Sequence, residues 1–259
     1  MVNVTQDNAE ALTAEIRPFQ FRRLFVEGRE GLFAQPGLNA KKAWDRLTPE
    51  QQARVEQLEI AVSDYRTLET QEEERQKAVA GRRRRLEQSG CRLIDRAFDA
   101  CVLGQLEETG AMATLRRWWA ERVKPWFVLS GATGSGKSIA AADKVADTGG
   151  LWVRADQVVR LYWANFGDQY EQQQALRDTH LLVIDDLGCE LDASRMLPAL
   201  LDLLDSRKSA RSHSTVVTTN LNKKAFSERY ANERLSSRMV ESVLWEGIAD
   251  GDMRKAKRC

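Results

Sequence analysis

The sequence predicts an α/β protein in which a central parallel sheet is flanked by helices and preceded by a small helical N-terminal region. Three observations predict it. Short apolar runs (Trp126–Leu129, Leu151–Val153, Leu181–Ile184 and the β-branched Thr215–Thr218) alternate with stretches of helical periodicity. Strands separated in this way by helices imply parallel pairing with helices on both faces, and right-handed crossovers restrict the topology further. A glycine-rich turn joins the first run to the helix-forming stretch Ile139–Ala142, and the third run ends in two adjacent carboxylates, Asp185 and Asp186.

Taken in order, residues 1–40 scatter Phe19, Phe21, Phe25 and Phe33 among Gly28, Gly31, Pro36 and Gly37, the pattern of a tail or docking segment. Residues 41–91 read as a helical, partner-binding region. Thr48 is its expected N-cap, Pro49 takes the first helical position, and Gln51 reaches back as in a capping box. Val55, Leu58, Val62 and Tyr65 follow at 3-4-3 spacing, an apolar stripe suited to a helix pair or short coiled coil. The stripe fades after Leu68 into Glu72-Glu73-Glu74 and then Arg82-Arg83-Arg84-Arg85. That run fits either of two roles: contact with nucleic-acid phosphates, or the solvated end of a charged helix paired with the acidic residues upstream.

Residues 92–259 read as one α/β domain. The strand at Trp126–Leu129 leads through the glycine-rich turn to a helix ending near Ala146. After Leu151–Val153 comes a helix through Val158, Leu161 and Tyr162. Trp163, Asn165 and Phe166 follow it, and the two aromatics fit either buried packing or stacking on single-stranded bases. Beyond the third run, Ser194-Arg195 is expected to open a helix through Met196, Leu200 and Leu204, with Pro198 in its first turn. The fourth run ends at Thr218-Thr219-Asn220. A helix over Asn232–Met239 places Arg234 and Arg238, four residues apart, on one face.

Composition narrows the class. The chain has 259 residues, 42% hydrophobic and 30% charged, with a formal net charge of +1. Binding to nucleic acid would therefore come from local patches and not from a global field. Cys91, Cys101, Cys189 and Cys259 form no C-x-x-C pair, and with two histidines they give no zinc-ligand set. They read as reduced thiols. No segment has signal-peptide form or eighteen consecutive apolar residues, so the expectation is a soluble cytoplasmic protein with no membrane partner.

The turn itself is Gly131-Ala132-Thr133-Gly134-Ser135-Gly136-Lys137-Ser138, matching G-x-x-x-x-G-K-[ST] between a strand and a helix. Its glycines let backbone N–H groups curl around a triphosphate. Lys137 can reach the β- and γ-phosphates, and the Ser138 hydroxyl can hold Mg²⁺. The helix that starts near Lys137 adds its positive end to the anion site. The expected ligands are thus ATP and Mg²⁺. At the carboxyl end of the third strand, Asp185 is placed to hold the metal and Asp186 to polarise the attacking water. Asn220 can sense the γ-phosphate and help to orient that water; its alternative role is to cap the next turn.

The set G-A-T-G-S-G-K-S, L-L-V-I-D-D-L-G, T-T-N-L and E-R-L-S-S-R-M, in this order, resembles the AAA+ ATPases of the bacterial helicase-loader group, DnaC and DnaI, with the transposition helper IstB as close kin. The resemblance covers roughly residues 92 to 259. It implies an AAA+ P-loop domain in which Lys137 and Ser138 are the Walker A pair, Asp185 and Asp186 the Walker B pair, and Asn220 sensor 1. Arg238 then matches an arginine finger that reaches the nucleotide of a neighbouring subunit, with Arg234 one turn earlier as a further nucleotide contact. A finger supplied in trans implies a homo-oligomer whose slow ATPase is stimulated by oligomerisation or DNA. Leu244–Arg254 resembles the family's final strand and short end, with no C-terminal helical lid. Two departures stand out. Asp186 occupies a position where many AAA+ enzymes carry Glu. The N-terminal third has neither the zinc-ligand pattern of DnaI nor a segment that aligns with DnaC.

The function this resemblance implies is an ATP-dependent loader of a hexameric replicative helicase in the initiation of DNA replication, binding the helicase through residues 1–90 and acting on single-stranded DNA. The alternatives are an IstB-like helper that binds duplex DNA and recruits a transposase, and a nucleotide-gated adaptor in which binding alone changes partner affinity. The Asp185-Asp186 pair favours the loader, since IstB-like proteins tend to carry Asp-Glu there.

Overall fold

The computed structural model of the chain describes residues 48–163, 168–208 and 213–249. The chain divides into two units, Met1–Lys77 and Ala78–Cys259. Helix α1 (Pro49–Ser89) begins in the first and ends in the second. In the first unit its exposed surface carries pairs one turn apart, Arg75 with Glu72 at 3.2 Å and Lys77 with Glu73 at 3.6 Å. The docking segment 1–40 and the side chains of Gln51, Val55, Leu58, Val62 and Tyr65 lie outside the described residues, as do Asn165, Phe166 and the stretch 250–259.

The second unit continues with α2 (Asp95–Leu103), α3 (Gly110–Glu121), β1 (Trp126–Gly131), α4 (Lys137–Thr148), β2 (Leu151–Arg154), α5 (Ala155–Tyr162) and α6 (Asp168–Asp178). There follow β3 (Leu181–Leu187), α7 (Ala193–Ser206), β4 (Ser214–Thr219), α8 (Lys223–Arg229), α9 (Glu233–Ser242) and β5 (Val243–Ile248). The five strands form one parallel sheet in the order β2-β3-β4-β1-β5. Both faces are covered, which is why the strands read as unbroken apolar runs. Trp126 and Val128 of β1, with Leu182 and Ile184 of β3, pack under α5, α7, α8 and α9. The alternate residues Phe127, Leu129, Leu181 and Val183 pack under α2, α3, α4 and the end of α1, where Leu86 is fully buried. This is the fold that the motif resemblance implies: an α/β P-loop domain with a central parallel sheet.

Local chemistry sets the helix starts. Thr109, Asp192, Asn222 and Asn232 each accept a backbone N–H in the first turn of the helix they precede. Because Asp192 caps α7, that helix begins at Ala193, earlier than the expected Ser194 start. Pro198, the sixth residue of the helix, sits in its second turn and not the expected first, where it removes the bond that the Ser194 carbonyl would otherwise accept.

Neither expected role for the arginine run holds throughout it. Arg82 donates to the Cys101 carbonyl at 2.8 Å and pairs with Asp143 at 2.6 Å and with Asp147. Arg85 donates to the Ala146 carbonyl at 2.6 Å. These two lie one turn apart and lock the end of α1 onto α4. Arg83, with Asp99 at 3.2 Å, and Arg84 face outward. The acidic partners come from α4, from α2 and, for Arg83, also from Glu87 one turn on at 4.0 Å, and not from the upstream glutamates; Arg82 and Arg85, at i and i+3, share the face turned to the domain.

Arg207, just past α7, has no accessible surface. Its guanidinium donates to the carbonyls of Leu176 (3.0 Å), Arg177 (2.9 Å), Thr179 (2.8 Å) and Ser214 (2.8 Å), and to the Thr215 hydroxyl (2.8 Å). It thereby closes the end of α6 and the start of β4. Burial lowers its pKa to about 10. No helix among the described residues is long and apolar enough to cross a membrane.

Candidate functional site

The glycine-rich turn leaves the end of β1 and enters α4. Gly134 (φ 86°) and Gly136 (φ 82°) take left-handed conformations that L side chains rarely adopt, and the Ser135 N–H closes the turn onto the Ala132 carbonyl at 3.3 Å. Gly131 is required for a different reason: a Cβ there would meet the Ile248 carbonyl of β5 at 2.7 Å. Ala132 and Thr133 are exposed at the tip, and Ser135 and Gly136 are buried at its base.

Lys137 is 6% exposed, yet its ammonium is held by the carbonyls of Gly131 (2.9 Å) and Ala132 (2.8 Å), the Ser135 hydroxyl (3.3 Å) and Asn220 Oδ1 (3.1 Å). These contacts hold the ammonium at the base of the turn, beside the N-terminal end of α4, where an anion is favoured. Asn220 reaches it from the end of β4. The next helix is capped by Asn222, whose Oδ1 accepts from Ala225 N at 2.8 Å.

One residue on, the Ser138 hydroxyl donates to Asp185 Oδ1 at 2.8 Å. The two come together although β4 lies between β1 and β3, because α4 starts above β1 and packs back across β3 and β4. Burial pushes the Asp185 carboxyl up, opposed by the hydrogen bonds from Thr218 and Ser138. Asp186 is half-buried with φ 57°, one of two non-glycine residues with positive φ among those described. It lies at a β-bulge. Ile184 pairs with Val217 and Leu187 with Thr219, so β3 has one residue more than β4 over this stretch.

These residues fit a divalent ion and a triphosphate. No group of three or more His, Cys, Asp and Glu among the described residues could hold a metal by itself. Mg²⁺ would suit such a place, since it needs only one or two protein oxygens, which Ser138 and Asp185 could offer, and fills its shell with phosphate oxygens and water.

Arg234 and Arg238 stand apart from this cluster. Both point from α9 to Asp205 near the end of α7: Arg238 Nε lies 3.0 Å from Oδ1, and Arg234 donates to Oδ2 at 3.1 Å, with Lys208 also 3.3 Å from Oδ1. Among the described residues neither arginine has a hydrogen bond or ion pair to the glycine-rich turn. Trp163 is 48% exposed, donates to the Arg195 carbonyl at 3.3 Å and lies 5.9 Å from the Arg195 guanidinium. For this aromatic, full burial does not hold.

Sequence reasoning passed over several residues. Thr218 donates to Asp185 Oδ1 at 2.6 Å and accepts from Asp186 N at 3.0 Å. Glu190, 3% exposed, accepts from Gly188 N at 2.8 Å, from Arg229 Nε at 3.0 Å and from the Tyr230 hydroxyl, tying the loop after β3 to the end of α8. Burial and Glu190 together push the Tyr230 hydroxyl up. The contacts of Glu190 span about forty residues, so no local pattern announces them. Thr218 had a local signal, since it directly precedes Thr219-Asn220 at the carboxyl end of a strand beside Asp185.

No family model matches the chain, and no curated protein matches it. Among solved structures it is similar to a crystal structure of the DnaC helicase loader, at 20% identity and a TM-score of 0.47 over 60% of this chain and 99% of that one. It is also similar to a crystal structure of DnaI, at 19% identity and a TM-score of 0.42 over 61% and 88%. AMPPCP-bound DnaA from Aquifex aeolicus matches at 16% identity and a TM-score of 0.44, over 60% of this chain and 53% of that one.

Proposed function

We propose that the chain is an ATPase that binds ATP and Mg²⁺ between Gly131–Ser138 and the Asp185-Asp186 pair, and that it serves as an ATP-dependent loader of a replicative helicase. The observation that carries the nucleotide reading is the convergence of Lys137 on Asn220 and of Ser138 on Asp185 at the carboxyl ends of the three central strands. Residues from three separate segments meet there, and each is of the type that phosphoryl transfer needs.

In this reading the backbone N–H groups of Gly134–Ser138 cradle the phosphates. Lys137 exchanges its carbonyl contacts for phosphate oxygens. Bound Mg²⁺ supplies charge neutralisation at the transferring phosphoryl group. Asp185 and Ser138 hold that ion in place, and Asp186 orients and polarises the attacking water. Asn220 gives its Oδ1 to Lys137, which leaves its amide N–H₂ to donate toward the γ-phosphate. Arg238, with Arg234 beside it, serves the nucleotide of a neighbouring copy, so a single chain turns over slowly. Trp163 and Arg195 offer an aromatic face and a guanidinium to single-stranded DNA.

The loader assignment rests on the motif resemblance, and its partner is a hexameric helicase bound through residues 1–90. Co-elution of the full chain with its cell's replicative helicase, with ATP and without, tests it. The expected result is a complex that is lost when residues 1–77 are removed, a cut that leaves Arg82, Arg85 and the buried Leu86 in the second unit. Absence of a complex in both conditions refutes the loader, and binding to duplex DNA and a transposase instead would establish the transposition helper. Failure of the chain to bind ATP at all would remove the nucleotide reading itself.

A further inference from the structure

The loop that carries Asp185 and Asp186 is an irregularity in an otherwise regular parallel ladder. Between Ile184 and Leu187 the strand gains one residue over β4, and Asp186 takes φ 57° without being glycine. A left-handed non-glycine residue is strained and persists only where its surroundings hold it. Thr218 is in position to do so. The Asp186 N–H, displaced from the backbone ladder by the bulge, donates to Thr218 Oγ1 at 3.0 Å. The same hydroxyl donates its single proton to Asp185 Oδ1 at 2.6 Å. Thr219, on the other side of the bulge, closes it by donating to the Leu187 carbonyl at 2.5 Å.

We infer that Thr218 is a positioning residue for the carboxylate pair. This rests on the reading of Asp185 as metal ligand and Asp186 as the group that polarises water. A hydroxyl has one proton to give, so with the proton committed to Asp185 its lone pairs face the Asp186 amide, and both uses are determined at once. Asp185 Oδ1 takes a second donor from Ser138 at 2.8 Å, which leaves Oδ2 for a cation. Thr218 has no accessible surface, so water does not replace its hydroxyl. Valine would fill the same volume in β4, as Val216 and Val217 do beside it, but would leave the Asp186 N–H without its partner and Asp185 free to turn. Partners that orient a metal-binding carboxylate typically contribute about 10–100-fold in metal affinity or activity.

The test compares Thr218→Val with Thr218→Ser in the full chain. Binding of a fluorescent ATP analogue is titrated in EDTA and then with rising Mg²⁺, and hydrolysis is followed in parallel. For the Val variant, affinity in EDTA stays within about twofold of the parent, while the Mg²⁺ concentration for half-maximal tightening rises about 10-fold and turnover falls about 10–100-fold. The Ser variant restores both to within severalfold. A Val variant equal to the parent overturns the inference, as does a Ser variant no better than Val, since that would assign the effect to the methyl group. Should the Val variant not fold, the contrast of Thr218→Ala with Thr218→Ser decides in the same way. Asp186→Asn separates the two layers: retained hydrolysis removes the reading of Asp186 itself, whereas an inactive Asp186→Asn beside a normal Val variant removes only the role of Thr218.

Discussion

Replacing Arg207 by Met isolates the contribution of a buried cation that has no carboxylate partner among its hydrogen bonds. Its five bonds hold four backbone carbonyls and one hydroxyl. At about 1 kcal/mol net for each buried hydrogen bond, their loss destabilises by roughly 5 kcal/mol. Relief of the cost of burying the cation, visible as its lowered pKa of about 10, returns roughly 1–3 kcal/mol. The net loss is then roughly 2–4 kcal/mol. At 2–4 °C per kcal/mol for a unit of this size, the melting temperature should fall by roughly 4–16 °C. Arg207→Lys keeps the charge, but its ammonium has three protons for five acceptors, so about half the loss should remain. Thermal unfolding of the full chain followed by circular dichroism reads both. The reasoning fails if Arg207→Met melts within a degree or two of the parent, or if Arg207→Lys is the more damaging of the two.

Three further expectations concern the site. A carboxyl with a raised native pKa holds its proton more tightly folded than unfolded; the ionised Asp185 therefore disfavours the nucleotide-free fold at neutral pH, and this penalty fades as pH falls toward the native value. Asp185→Asn should accordingly melt no lower than the parent without nucleotide, and should lose the extra stabilisation given by ATP with Mg²⁺; a clear drop in the nucleotide-free melt counts against it. Arg238→Ala should leave ATP binding by single chains unchanged while assembled turnover falls about 10³-fold or more, and mixing with Lys137→Ala subunits should restore part of it because each variant supplies what the other lacks; no recovery in the mixture argues against a finger in trans. Gly131→Ala, whose new Cβ would sit 2.7 Å from the Ile248 carbonyl, should push β5 away from the turn and weaken both stability and ATP binding, whereas Ala132→Gly, at the exposed tip, should do neither.

By itself the sequence determined what is local or periodic. Apolar runs buried on two faces can only be strands of a covered parallel sheet, and the glycine-rich turn carries its anion site in its own backbone, so the sheet and Gly131–Ser138 were legible before any coordinates. The carboxyl end of a buried strand likewise marked Asp185 and Asp186. Tertiary structure alone decided which distant polar groups share the interior. The packing of α4 across the sheet brings Ser138 to Asp185, the extra residue in β3 hands the Asp186 amide to Thr218, and the close of α7 gives Asp205 to Arg234 and Arg238. The same holds for the arginine run, split between α4 and solvent by helical phase, and for Arg207, whose five acceptors come from two separate stretches of chain. The physical reason is common to all of them. Apolar burial is summed over area and shows as a pattern along the chain, whereas a buried hydrogen bond depends on the direction and distance of two atoms, which exist only once the elements have packed.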